Sequence, residues 1–323
     1  MSAKVEGVDL DLARVRAFTV TAGLLHFGRA AGQLGISQQA LSKRIARLEE
    51  ELGVPLFDRS GHTVALTGAG LRFLEPATRL VAEGDLAVAQ VRGTRRPLRL
   101  DVWGHLYAPM RTVAPVLDAS PGLTVEPGSG RDLPSVAAAL LRGDTDVGFG
   151  RVHPLADTPG GALPDGLAHR LARLEPVDVV LSADHPLAGS DVLRPGDLRA
   201  SVLWCPASLE RLDFLRCFAE RFGIHELEVG ANLGLEHSVE SVLAQPRRFT
   251  LFPADSPLPD LPGSRSVPLM DPTPLYAWSL LWRADTGHPE LNPLLDAFGT
   301  LAEQRRWLHY DPDRDWLPQT DRS

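Results

Sequence analysis

Apolar positions along residues 9–66 fall first at helical spacing and then at strand spacing. Leu12, Val15, Phe18, Val20 and Leu24 predict an amphipathic helix over 9–25. Ala30, Ala31 and Leu34 predict a short second helix, broken by Gly35, with Ile36 packing the turn. Ser37 then stands as an N-cap, its hydroxyl accepting an early backbone N–H of the next helix. Along that helix Leu41, Ile45, Leu48 and Leu52 recur at i, i+4, i+7 and i+11, a single face. Leu56–Arg59 and Thr63–Leu66 read as two short strands joined by Ser60-Gly61-His62, where Gly61 is free to take positive φ. The whole pattern predicts a helix–turn–helix followed by a small β-wing.

Thr67 is positioned to cap a long helix over 68–92, in which Leu71, Leu74, Thr78, Val81 and Val88 form a near-heptad seam that would pair with another helix. Pro76 removes a backbone donor there, which predicts a bend or a late helix start. Gly93-Thr94-Arg95-Arg96-Pro97 reads as a hinge-like linker. Beyond it, strands at Leu98–Trp103, Leu123–Glu126 and Asp146–Phe149 alternate with helices over 106–118 and 133–142. A second series has strands at Val177–Ser182, Val202–Cys205, Glu228–Ala231 and Phe249–Phe252, with helices over 208–222 and 237–246. Strands at Ser266–Pro268 and Ala277–Trp282 and a helix over 289–308 complete it, while 255–264 and 309–323 read as loops. The predicted fold class is α/β, a mostly parallel sheet covered by helices, behind an all-α winged helix–turn–helix.

Charge changes the picture locally. The chain has a formal net charge of −8, yet residues 12–48 carry Arg14, Arg16, Arg29, Lys43, Arg44 and Arg47 and no carboxylate. Affinity for phosphates depends on the local field, so the acidic remainder does not argue against a double-stranded DNA partner. Gln38, Gln39, Ser42, Lys43 and Arg47 lie opposite the apolar stripe, on the face able to reach base edges and phosphates. Two cysteines, Cys205 and Cys217, make no disulfide framework, and the N-terminus lacks the apolar core of a secretory signal. With no run long enough to span a membrane, the expected location is the cytoplasm, at the nucleoid.

Catalytic and cofactor motifs are missing. Gly128-Ser129-Gly130 is not a nucleophile elbow, and neither a Walker loop nor a G-x-G-x-x-G follows a strand. No enzymatic activity, cofactor or metal is expected; the histidines show no ligand-like spacing with the cysteines.

The sequence from about 9 to about 307 resembles the LysR-type transcriptional regulators. The resemblance is carried by Ala30-Ala31, Leu34, Ile36-Ser37-Gln38, Ala40-Leu41-Ser42, Ile45, Leu48-Glu49, Leu52-Gly53, Leu56-Phe57, Arg59, Leu66-Thr67 and Ala69-Gly70. Weaker marks are Gly143–Phe149, His185-Pro186-Leu187-Ala188 and Phe252-Pro253. The chain departs from the family where Leu25-His26-Phe27-Gly28 replaces the usual Gly-Ser-Phe-Thr, and where Gln39 replaces a proline. Gly28 cannot make the phosphate contact of a threonine, which leaves His26 as the donor there; Gln39 is able to read adenine.

The resemblance implies a DNA-binding domain over 1–66, a dimerising linker helix over 67–93 and a periplasmic-binding-protein-like effector domain over 94–308, ahead of a polar tail at 309–323. Within the effector domain, lobe one is expected at 98–176 and 269–308 and lobe two at 177–268. The DNA contacts implied are Ser37, Gln38, Gln39, Ser42, Lys43, Arg44 and Thr67, with Arg59 of the wing entering a minor groove. The effector would be a small organic anion held at strand ends by His105, Ser129, Arg151, Cys205, Asn232 and Pro253. Self-association as a homotetramer and contact with RNA polymerase belong to the same expectation. Two alternatives are a redox sensor using Cys205 and Cys217, and a winged-helix regulator of another class, such as a molybdate-responsive one.

Overall fold

The computed structural model describes residues 9–58, 64–92, 96–154, 163–256 and 258–321. The chain forms two compact units, one of Met1–Leu98 with Ala138–Asp146 and Asp285–His288, the other of Arg99–Ala137, Val147–Ala284 and Pro289–Ser323.

The first unit opens with α1 (Leu12–Leu24), α2 (Phe27–Gln33) and α3 (Gln38–Leu52). Each start is made by a side chain. The Asp11 carboxylate accepts the Ala13 N–H at 2.8 Å, and the Ser37 hydroxyl accepts that of Ala40 at 3.2 Å. Gly53, with φ of 68°, closes α3 in the left-handed conformation that glycine adopts without strain. The wing strands β1 (Phe57–Asp58) and β2 (Ala65–Leu66) pair antiparallel, and the turn Ser60-Gly61-His62 lies outside the described residues. Leu41, Ile45, Leu48 and Leu56 are fully buried beside Phe18, whose ring meets Phe57 at 5.4 Å and Phe73 at 5.3 Å.

The long helix α4 (Gly68–Arg92) belongs to this unit and continues through Pro76, without the late start that is one of the two outcomes expected from the proline. The seam read along it divides in two. Leu74 and Val81 pack with Phe73 and Ala77 into the core that α1 shares, whereas Leu71 and Val88 stay exposed. The heptad spacing therefore reports intramolecular packing as well as a free face. Gly70 is required for this arrangement, because a Cβ there would run into the Leu56 carbonyl.

The second unit is built on a mixed sheet. The elements after α4 are β3 (Leu98–Val102), α5 (Met110–Asp118), β4 (Val125–Ser129), α6 (Leu133–Arg142), β5 (Val147–Gly150), β6 (Leu167–Ser182), β7 (Val202–Cys205), α7 (Asp213–Phe222), β8 (Glu226–Val229), α8 (Leu235–Leu243), β9 (Arg248–Pro253), β10 (Ser264–Val267), β11 (Thr273–Arg283), α9 (Leu291–Gln304) and β12 (Asp315–Trp316). The strand order is β4-β3-β5-β11-β6-β9-β7-β8, with β10 on β6 and β12 on β11. β3 and β5 are parallel, as are β7 with β8 and with β9, while β11 runs antiparallel to β5 and β6. The first half of β6 pairs with β11 up to Pro176, and the second half pairs with β9 from Val177 onward. One long strand thus crosses from one half of the sheet to the other.

Two sequence expectations are corrected here. β6 begins at Leu167 rather than Val177, its first half carrying His169, Arg170, Arg173 and Glu175, whose charges hide a strand pattern. Arg173 and Glu175 are nevertheless buried, paired at 3.0 Å. The segment expected as a polar tail is also folded. β12 pairs in parallel with the start of β11, and Trp316 and Leu317 are buried. Its apolar residues are too few and too closely flanked by charge to show a period, so only their partners make it a structural element.

Candidate functional site

The DNA-reading candidates stand where the amphipathic pattern of α3 puts them. With Leu41, Ile45 and Leu48 turned into the core, Gln38, Gln39, Lys43 and Arg47 are exposed, and Ser42 and Arg44 are half-buried beside them. The electrostatic count shrinks, however. Arg14 is paired with Glu51, and Arg16 makes a two-pronged contact with Asp85 of α4 at 2.7 and 2.6 Å. Those two cations, counted toward a DNA face from the sequence, instead tie α1 to α3 and α4. Arg59 lies outside the described residues. The Thr67 hydroxyl donates to the Pro55 carbonyl at 2.7 Å and accepts the Gly70 N–H at 3.0 Å, so it is engaged in capping α4.

The divergent stretch before α2 has a local solution. His26 Nδ1 accepts the Arg29 N–H at 3.2 Å, so the imidazole caps α2 in place of a hydroxyl. That bond fixes the neutral tautomer with its proton on Nε2, which leaves a donor on an exposed ring. Leu25 ends α1 with φ of 45°, a left-handed conformation in which a glycine would be unstrained. Glu49 is a residue whose role the sequence did not disclose. Its carboxylate accepts the N–H groups of Leu56 at 2.8 Å and Phe57 at 3.1 Å, fastening the recognition helix to the first strand of the wing.

In the second unit a cavity of about 560 Å³ opens where several strands end. The residues following β3, β4, β5, β7 and β8 contribute to it, the usual place for ligands in open α/β sheets. Trp103, Tyr107, Phe214 and Tyr276 give it aromatic walls, and His105, Arg131, Arg151 and Asn232 supply polar groups. The Trp103 ring lies against Gly150, where any Cβ would collide with it, and its Nε1–H donates to the Arg151 carbonyl at 3.2 Å. Gly150 is thereby explained by one large ring, whereas a Cβ at Gly148 would first meet Val136 and then Trp103.

Of the effector residues expected from the sequence, His105, Arg151 and Asn232 line this cavity. Ser129 is outside its lining but meets His105 Nε2 at 3.0 Å, as does the Gly130 carbonyl. Cys205 is fully buried next to the lining residue Pro206, and Pro253 is buried at the end of β9 outside the lining. Tyr276, Phe214, Arg131 and Asp213 were missed. Tyr276 is on a strand that reads as pure core, and nothing in the spacing of Asp213 points to Arg151.

The electrostatics of Arg151 differ from those expected. Arg151 as a whole is 3% exposed; its guanidinium donates to Asp213 at 2.6 Å and to Asp321, and lies 5.7 Å from the ring centres of both Phe214 and Tyr276. Burial opposes its charge, but Asp321 and Asp213 outweigh burial and raise its pKa. Two carboxylates already neutralise this cation, so it is not free to receive an anion as the sequence suggested. Arg131 lines the same cavity, is exposed, and has no carboxylate partner among the described residues.

Neither thiol has the environment of a reactive cysteine. Burial pushes the Cys205 thiol up to about 12. Burial and the Asp213 carboxylate raise that of Cys217 despite the neighbouring Arg216. Among the described residues no group of three or more His, Cys, Asp or Glu is arranged to hold a metal ion, and no helix is long and apolar enough to cross a membrane.

Residues 12–71 match the sequence model described as bacterial regulatory helix-turn-helix protein, lysR family. The HTH-type transcriptional regulator IlvR of Caulobacter vibrioides is 31% identical over 311 residues, which cover 88% of this chain and 96% of that protein. The chain belongs to the LysR family. The uncharacterised HTH-type transcriptional regulator YnfL of Escherichia coli is 33% identical over 196 residues, and the match spans 57% of this chain and 61% of YnfL. Among solved structures, a full-length OxyR from Pseudomonas aeruginosa superposes with a TM-score of 0.68 at 21% identity, covering 90% of this chain and 95% of that one. CbnR in complex with its target DNA gives 0.60 at 20% identity, covering 91% and 99%. These two likenesses show the fold. The named relatives are transcriptional regulators, and the family to which this chain belongs is one of DNA-binding regulators rather than enzymes.

Proposed function

We propose that this regulator reads its operator with the exposed face of α3 and responds to a small molecule held in the cavity of its second unit. The carrying observation is the division of α3 into a buried apolar face and an exposed face of Gln38, Gln39, Lys43 and Arg47. Gln38 and Gln39, at the helix start, are the readers of base edges; Ser37, Ser42, Lys43 and Arg44 hold phosphates, and Arg59 reaches a minor groove. His26 Nε2–H takes over the phosphate contact that Gly28 cannot make, while Thr67 acts by holding the start of α4.

The effector is a small organic anion with an apolar or aromatic body. The aromatic walls of the cavity support the body, and Arg131, which has no carboxylate partner among the described residues and lines the cavity with His105, supports the anionic end. Ser129 acts through His105, and Asn232 lies at the opposite set of strand ends. The exposed Leu71, Leu80, Val88 and Val91 of α4 support pairing of two copies through that helix, and a homotetramer in contact with RNA polymerase is the working assembly. The raised thiol pKa values of Cys205 and Cys217 favour this reading over redox sensing.

Footprinting of the purified protein on the DNA upstream of its own gene, at two salt concentrations, tests the proposal. An extended, salt-sensitive footprint containing a partial palindrome is expected. Lack of any protection there and in a genome-wide binding experiment would refute it.

A further inference from the structure

We propose that the C-terminal segment 311–321 is a strap that fastens one half of the second unit's sheet to the other, with Asp321 on Arg151 as its buckle beside the cavity. The strap engages both halves. On the first, β12 adds to the start of β11 through Thr273↔Asp315 and Pro274↔Trp316, and Leu317 packs with Leu174, Leu275 and Ala277. On the second, Trp316 meets the three phenylalanines of α7, the helix between β7 and β8. The ring centres are 5.8 Å from Phe214, 5.9 Å from Phe218 and 5.2 Å from Phe222.

The end of the strap meets the site itself. Arg151 follows β5 of the first half, Asp213 opens α7 of the second, and Asp321 comes from the strap; one guanidinium joins all three. The Asp321 side chain is only 3% exposed. Burying a carboxylate is costly unless it is paired, so docking of the strap and pairing with Arg151 are one event. A second contact, Arg211 to Asp132 at 3.0 Å, joins the halves at the cavity without the strap, but both its partners are more exposed. Since Phe214, Asp213 and Arg151 all line the cavity, release of the strap loosens one wall. The strap therefore sets how readily the two halves separate around whatever the cavity holds.

Hydrogen exchange on the full-length protein tests this. In the unmodified chain, amides of 315–321 should be protected and should open together with those of α7. Asp321→Asn and Trp316→Leu, which loosen the buckle and the belt separately, should each speed exchange in 311–321 and in 206–222 at least tenfold. Exchange in β3, β5 and α3 should remain as in the unmodified protein. The proposal is overturned if the tail of the unmodified chain exchanges like a free peptide. It is also overturned if α7 is unaffected in the variants, or if β3 and β5 accelerate equally with α7, which would make Asp321 a general stability contact.

Discussion

The carboxylate of Glu49, three turns into the recognition helix, accepts the backbone N–H of Leu56 at 2.8 Å at the entrance to the wing. The same oxygen takes the Phe57 N–H, so a single side chain ties the wing to α3, the two parts proposed to face a duplex. Glu49→Ala leaves two partly buried donors unmet and should cost about 2–3 kcal/mol by the scale for hydrogen bonds to charged groups. Urea unfolding should register the loss. DNA affinity should fall further than in a surface variant of equal stability, because the wing is no longer held to α3.

Leu25 occupies a left-handed conformation at the end of α1 while its side chain is 47% exposed. Leu25→Gly removes the backbone strain at little cost in packing and should stabilise the protein by about 0.5–1 kcal/mol. A lower thermal midpoint for the variant would show that the leucine side chain contributes more than its exposure suggests.

His26 caps α2 through Nδ1. His26→Ala should destabilise by about 1 kcal/mol, and His26→Ser should restore most of it because a hydroxyl makes the same cap. The serine variant separates the two roles assigned to the imidazole: stability recovers, whereas the phosphate contact depends on how far the shorter side chain reaches. Thermal melting and operator affinity, measured side by side, make the distinction.

Lys43 and Gln39 should fail differently. On the phosphate role proposed for it, Lys43→Ala should weaken binding to all sequences and lower the slope of log affinity against log salt by about 1. Gln39→Ala should leave the slope alone and relax preference at one operator position, costing about 1–3 kcal/mol on the best site only. Identical behaviour of the two variants in a salt titration would mean that Gln39 does not read a base.

Glu175 supplies a pH signature. It is buried, accepts Trp278 Nε1–H at 2.6 Å, and shares a cluster with Arg111, Arg173 and Asp255. Burial first, then the contact with Asp255, raise its pKa from 4.5 to about 7 against the pull of the two arginines. The folded state then binds this proton more tightly than the unfolded state. Its contribution is fully present below pH 4.5 and is lost as pH rises through about 7. Asp255, held low by its Glu175, Arg173 and Arg111 contacts despite partial burial, acts in the opposite sense and only at more acid pH. Glu175→Gln should therefore flatten the stability profile between pH 4.5 and about 7, which urea unfolding across that window would reveal. An unchanged slope would assign the pH dependence to other groups.

The sequence by itself determined the DNA-binding unit. Ser37 and Gly53 bound α3, its apolar stripe names the buried face, and the polar residues opposite are thereby named as well; all of these relations act within a few turns. It also determined the alternation of strands and helices in the second unit, while the expectation that loops after β3, β5 and β8 share a site came with the family resemblance. Only the tertiary structure decided what the charges there do. Arg151 meets Asp321 across 170 positions and Asp213 across 62, and Glu175 meets Trp278 across 103. Helical period and capping are settled by neighbours along the chain. The neutralisation of a buried charge depends on which carboxylate the fold brings within reach, and that distance along the chain leaves no periodic trace. A guanidinium that looked open to a ligand is for this reason already taken, and a tail that looked like solvent-exposed loop is the segment that takes it.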